Sequence, residues 1–159
     1  MEKAIISAVV PDISQAKVTV SRVLDEPGVA ATLFRHLADE DVNVDMIVQN
    51  VSEDGHTDIS FTVPREQLEC SNEVTARYIA EIGAVGVTTD DSIGRVSVVG
   101  AGMASNPGVA ATMFETLSNN GINIEMISTS AIRISCVVDE ADVDAATVAL
   151  HDAFELHRG

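Results

Sequence analysis

Pro27-Gly28-Val29-Ala30-Ala31-Thr32-Leu33-Phe34 returns eighty positions later as Pro107-Gly108-Val109-Ala110-Ala111-Thr112-Met113-Phe114, with seven of the eight residues identical. At the same offset Val42-Asn43-Val44-Asp45-Met46-Ile47 returns as Ile122-Asn123-Ile124-Glu125-Met126-Ile127, each change keeping its chemical type. One unit is therefore duplicated, and 159 residues leave each copy room for a modest core of its own. Outward from these blocks the offset drifts. Lys17-Val18-Thr19-Val20 matches Arg95-Val96-Ser97-Val98 at 78, and Ile59-Ser60 matches Ile134-Ser135 at 75. Changes of length collect in loops, so loops precede each Pro-Gly and occupy Ser52-Glu53-Asp54-Gly55-His56 in the first copy.

Period supplies the elements between the loops. Val18 and Val20 alternate with polar residues, as do Val42, Val44, Met46 and Val48, and again Ile59, Phe61 and Val63; these are half-buried strands. Pro27 and Pro107 open helices whose apolar stripes are Val29, Leu33, Phe34 and Leu37, then Val109, Met113, Phe114 and Leu117. A second helix fits Arg65 to Ile82, and Val85 and Val87 begin a short strand, so the first copy reads β-α-β-β-α-β. The second copy runs out of chain after Phe154, one strand short, while Ala4 to Val10 is a strand with no place in the repeat. The expected fold is α+β: two ferredoxin-like βαββαβ modules, with antiparallel sheets and helices on one face. Residues 14–91 form the first module, and residues 1–13 plus 92–159 form the second, the N-terminal strand completing its sheet.

Charge and composition narrow the functions. Nine basic against 25 acidic side chains give a net charge of -16, a field that repels phosphate backbones and anionic lipid, so neither nucleic acid nor membrane is an expected partner. The same acidity suits a salt-rich cell interior. No apolar run approaches the ~18 residues of a membrane span, and the opening residues are too short and acidic for a secretory signal, so a cytoplasmic location is expected. Cys70 and Cys136 stand apart, without a CxxC spacing or a histidine cluster, which argues against both a disulfide framework and a metal site.

Catalysis finds no constellation. His36, His56, His151 and His157 are scattered, acid pairs such as Asp90-Asp91 read as linker charge, and no nucleophile has a base partner. Gly100-Ala101-Gly102-Met103-Ala104-Ser105 comes close to a dinucleotide fingerprint, but Ser105 replaces its third glycine and Val23-Leu24-Asp25-Glu26-Pro27-Gly28 has no glycine pair. A nucleotide cofactor is not expected.

The β-α-β-β-α-β unit, with Pro-Gly at its first helix and Asn-x-Asp/Glu-Met-Ile after it, resembles the ACT domain, a binder of small effectors. Three longer blocks sharpen the resemblance: Val42 to Val51, Ser97-Val98-Val99-Gly100-Ala101-Gly102-Met103, and Asn123 to Ser135. Together they are similar to the tandem regulatory region of aspartate kinases, over essentially the whole chain. In that family a kinase domain precedes the modules, and nothing here resembles its lysine-bearing strand and loop. The resemblance implies a regulatory β subunit of an α2β2 assembly: a non-catalytic chain, a homodimer, partnered by a catalytic α subunit. Its effector would be threonine, with lysine as second candidate, acting by feedback inhibition. Two features depart from the family pattern: Ala131 stands where Ser/Thr-Glu-Ile-Arg-Ile-Ser has glutamate, and no extended tail follows the last helix. A free-standing amino-acid or nucleotide sensor for another partner is the alternative.

The family binds its effector where the first loop of one module faces another module, and the residues here carry fitting chemistry. Free N–H groups at the helix starts, Gly28, Val29 and Ala30 with Gly108, Val109 and Ala110, receive a carboxylate. Gly28 and Gly108 let a ligand approach the backbone. Asn43 and Asn123, expected on the polar face of the following strand beside Val44, Asp45 and Ile124, both donate and accept. Asp25 suits an ammonium group, Asn106 is its neutral counterpart in the second copy, and Gln49 lines the other wall. Met46 and Met126 are expected to fill core.

Overall fold

A computed structural model describes residues 5–50, 53–103 and 106–156. Ala4 of the N-terminal strand, Val51 and Ser52, Ala104 and Ser105 of the near-fingerprint, and His157 lie outside the described residues. In chain order the elements are β1 (Ile5–Asp12), β2 (Gln15–Leu24), α1 (Val29–Asp39), β3 (Ile47–Gln49), β4 (His56–Pro64), α2 (Leu68–Arg77), β5 (Gly86–Asp90), β6 (Ile93–Ala101), α3 (Gly108–Asn119), β7 (Met126–Thr129), β8 (Arg133–Asp139) and α4 (Val143–Ala153). One turn of 3-10 helix leads into α2 at Arg65–Gln67, and another into α4 at Glu140–Asp142. No helix among the described residues is long and apolar enough to cross a membrane.

The chain divides into two compact units, Ser14–Asp91 and Met1–Ile13 with Ser92–Gly159. In the first, the antiparallel sheet runs β3-β4-β2-β5; in the second it runs β1-β6-β8-β7. Each sheet has the ferredoxin-like order, with β1 at the edge that β5 holds in the other. Ile5 is paired with Ala101 and Asp12 with Arg95, whose guanidinium also holds the Asp12 carboxylate at 2.9 Å.

Alternation in the strands produces the cores. Val18, Val20, Ile59, Phe61 and Val63 turn one face of the Ser14–Asp91 sheet onto Leu33 and Leu37 of α1 and Val74 of α2. Phe34 meets Phe61 edge-to-face, centroids 5.5 Å apart. In the other unit Val96, Val98, Ile134, Cys136 and Val138 lie under Met113 and Leu117 of α3 and Val143, Ala146 and Leu150 of α4, with Val9 added from β1. The intervening strand positions carry cross-strand hydroxyl pairs at matching places, Thr19 with Ser60 at 3.0 Å and Ser97 with Ser135 at 2.7 Å.

Two elements are shorter than their periodicity predicts. Val42 and Met46 are buried, as alternation requires, yet the ladder of β3 begins only at Ile47. Ahead of it the Met46 N–H donates to the Thr62 hydroxyl at 3.0 Å, so a side chain substitutes for a backbone partner. Helix α2 stops at Arg77 rather than continuing to Ile82; beyond it the chain proceeds in turns, the Ile79 N–H donating to the Ala76 carbonyl at 3.4 Å, which bring Ile82 into the core and close at Gly83, left-handed at φ 67°.

Candidate functional site

At the first helix start the expected donor set is present only in part, since the Val29 N–H is already taken. Gly28 sits left-handed at φ 90° in the N-cap position, and a Cβ there would meet nothing within 4 Å. The Val29 N–H donates to the Glu26 carbonyl at 3.3 Å, and the Thr32 N–H donates to the Gly28 carbonyl at 2.9 Å. Among the described residues, the N–H groups of Gly28, Ala30 and Ala31 have no acceptor. Exposed Asp25 is tied through its own N–H to the Gly55 carbonyl at 2.9 Å. Gln49, also exposed, pairs with Ile59 close to this end, where His56 pairs with Leu24.

Asn43 lies elsewhere. Helix α1 closes on Glu40, Asp41 and Val42, whose N–H groups return to Leu37 and Ala38, with Asp41 left-handed at φ 58°. Exposed Asn43 and Asp45, and half-buried Val44, follow in an irregular segment rather than on a strand. An α1 of 11 residues makes a rod about 16 Å long, whereas one residue spans only about 3.5 Å of extended chain. Within one unit, therefore, Asp25, Gly28, Val29, Ala30 and Gln49 form a group at one end of α1, and Asn43, Val44 and Asp45 a group at the other.

The Ser92–Gly159 unit repeats the division. The side chain of Asn106 turns back, its Nδ2 donating to the Gly102 carbonyl at 2.7 Å, and its carbonyl accepts the Val109 N–H at 3.1 Å. Gly108 opens α3, while Val109 is buried and Ala110 half-buried against the core; with the Val109 N–H taken, the Ala110 N–H is the one of these two without an acceptor among the described residues. At the far end of α3, Asn123 and Ile124 line a cavity of about 340 Å³ together with Phe114, Ser118, Gly121 and Ile122. The Gly121 φ of 70° makes the turn that Asp41 makes in the other unit.

Sequence reading missed two features. Gln67 accepts the Asn43 N–H on Oε1 at 2.8 Å and donates from Nε2 to the Asp41 carbonyl at 3.2 Å. A polar basin of about 390 Å³ is lined by Arg22, Asn50, Glu53, His56, Thr57 and Asp58, where Arg22 occupies a β-bulge at φ 54° and pairs with Asp54 at 3.2 Å. His36 stacks on Tyr78 with centroids 3.4 Å apart and lies 3.4 Å from Glu81, a packing role between helices. Met46 and Met126 are buried. Among the described residues no group of three or more His, Cys, Asp or Glu side chains is arranged to hold a metal.

The ACT domain profile matches residues 13–74 and 96–154, one stretch in each copy of the repeat. The chain belongs to the ACT domain family. Among curated proteins this ACT chain is 49% identical over 158 residues to an aspartokinase of Corynebacterium glutamicum, matching 98% of itself and 38% of that protein. It thus spans little more than a third of the length of that relative. Among solved structures it is similar to a chain of aspartokinase alpha and beta subunits, with 44% identity, a TM-score of 0.90, and coverage of 95% of this chain and 99% of that one. It is also similar to the regulatory subunit of aspartate kinase from Thermus thermophilus, with 37% identity, a TM-score of 0.89, and coverage of 94% and 98%.

Proposed function

We propose that the chain is the regulatory β subunit of an aspartate kinase, cytoplasmic and without catalysis of its own. It binds threonine, with lysine as second candidate, and passes the signal to a catalytic α subunit as feedback inhibition. Similarity over 94% of this chain to the regulatory subunit of aspartate kinase from Thermus thermophilus supports the role. The units Ser14–Asp91 and Met1–Ile13 with Ser92–Gly159 are the two effector modules.

The observation that carries the reading is the separation of the two residue groups along each helix. Around Val29, the N–H groups of Gly28 and Ala30 and the amide of Gln49 offer donors for a carboxylate, and Asp25 an anion for an ammonium group; Asn43, Val44 and Asp45 stand about 16 Å away at the other end of α1. Asn106, Gly108, Val109 and Ala110 are divided likewise from Asn123 and Ile124. No single amino acid reaches both groups of one module, so a site that uses both takes its halves from two modules. Homodimerisation supplies the second set. Edge strands β3 and β7 support it, each presenting an exposed isoleucine at the same repeat position, Ile47 at 54% and Ile127 at 45%. Because ligand then favours one arrangement of modules over another, its regulatory effect is bounded by that difference in affinity.

Calorimetry with L-threonine and L-lysine on Asn43→Ala and Asn123→Ala tests the site. Loss of a side-chain partner in a water-poor site costs about 1–3 kcal/mol, so at least one variant binds measurably more weakly while remaining folded. Unchanged affinity in both places the pocket elsewhere. Sedimentation that shows a monomer with and without threonine removes the shared site.

A further inference from the structure

Gln67 stands where β4 hands over to α2, and its side-chain amide is used twice. Oε1 accepts the Asn43 N–H at 2.8 Å, and Nε2 donates to the Asp41 carbonyl at 3.2 Å, so one planar group brackets the turn that leads into the Asn43 segment. The residue is also held from behind. Buried Ser71 donates its hydroxyl to the Gln67 carbonyl at 2.7 Å, which anchors the bracket to the first turn of α2.

The bracketed turn needs support. Asp41 is left-handed at φ 58°, a conformation open to glycine and disfavoured for residues with a Cβ. The repeat provides an internal control. Gly121, at φ 70°, takes the Asp41 position in the other unit, and Asp142 takes the Gln67 position at the repeat offset of 75. There, among the described residues, no side chain accepts the Asn123 N–H. One turn is built in two ways: glycine alone, or a strained aspartate clamped by an amide.

We infer that Gln67 is a positioning residue for the Asn43 half-site, aiming Asn43 and tying it to the leading end of α2. The inference rests on the assignment of Asn43 to effector binding. Gln67 itself touches no ligand. A bracketed Asn43 meets the ligand already oriented, so less freedom is lost on binding. Linkage makes the tie reciprocal: ligand on Asn43 holds the bracket closed and slows opening of residues 67–71. Among the described residues the Asn123 half-site has no such tie to α4. The two half-sites therefore differ in what they report to the helices behind them.

The test uses the full chain, titrated by calorimetry with L-threonine and with L-lysine, alongside amide hydrogen exchange with and without each. Gln67→Ala is expected to weaken binding about fivefold, the effect of losing one neutral hydrogen bond. Asp41→Gly added to Gln67→Ala relieves the turn, so thermal stability returns while affinity does not. In the unsubstituted chain ligand slows exchange over residues 67–71 more than over residues 142–146. Two results overturn the inference and leave the effector reading standing: unchanged affinity in Gln67→Ala while Asn43→Ala binds weakly, or recovery of affinity together with stability in the double variant. Unchanged affinity in Asn43→Ala itself removes the half-site, and the inference with it.

Discussion

Gly94 and Cys136 show how closely single side chains are fitted to their surroundings. A Cβ built on Gly94 in β6 would collide with the Val143 side chain at the start of α4. Gly94→Ala therefore overpacks the contact between sheet and helix and is expected to cost about 1–3 kcal/mol, read as a lowered midpoint in urea. Gly86→Ala, which meets nothing within 4 Å, is the control. Burial pushes the Cys136 thiol from 9.0 up to about 12. The unfolded thiol ionises near its ordinary value and the folded one only near the raised value, so stability is unaffected by this group below pH 9 and falls as pH rises from there toward 12. A thiol reagent at mildly alkaline pH should label half-buried Cys70 in the folded chain and both cysteines in denaturant; labelling of Cys136 without unfolding would contradict its burial. At this scale sequence was a partial guide. Met46 and Met126 were legible as core because their alternation places them there, whereas Gln67 was not, since its partners lie 24 and 26 positions away and a lone amide carries no periodic signal.

Among the elements, β1 has the clearest experimental consequence. It is hydrogen-bonded to β6 and contributes Val9 to the core under α3 and α4. Deleting residues 1–11 exposes the β6 edge and strips apolar cover from one core alone. Amide exchange should accelerate over Val96–Val99 and Ile132–Val138 and change little over Val18–Val20 and Ile59–Val63. Uniform loss of protection would mean that the two cores melt as one, and preferential loss in the second pair would show that β1 supports the other sheet. Strands β2, β4, β6 and β8 were readable because each turns a regular row of apolar residues onto a single core. The irregular approach to β3 was not, since the hydroxyl of Thr62 stands in for a ladder partner. The end of α2 was equally hidden, because Ile82 is apolar at a spacing that suits a helix and a turn alike.

For the whole molecule the net charge of -16 sets a measurable property. Like charges repel more in the compact state, and the screening length falls from about 10 Å at 0.1 M salt to about 3 Å at 1 M. The thermal midpoint is therefore expected to rise with sodium chloride over that range, with or without effector; a flat or falling response would show that paired charges such as Arg95 with Asp12 outweigh the repulsion. The duplication was the most legible feature of all, because repeated blocks and drifting loops separate elements from connections without any structure. The division of each residue set between the two ends of a helix is not drawn from the sequence, whose reading groups Gly28 and Asn43 in one site, although the helix predicted between them, once given its length as α1, sets them far apart.

The placement of β1 also imposes a timetable on synthesis. This strand leaves the ribosome before any of the Ser14–Asp91 unit, yet its partner β6 follows only after that unit is finished. At roughly 5–20 residues per second the wait lasts several seconds, during which Ile6, Val9 and Val10 trail as an unpaired apolar strand beside a neighbour that has already closed its own sheet. The nascent chain is thus most vulnerable to mispairing in that interval, and slowing translation after Asp91 would lengthen it.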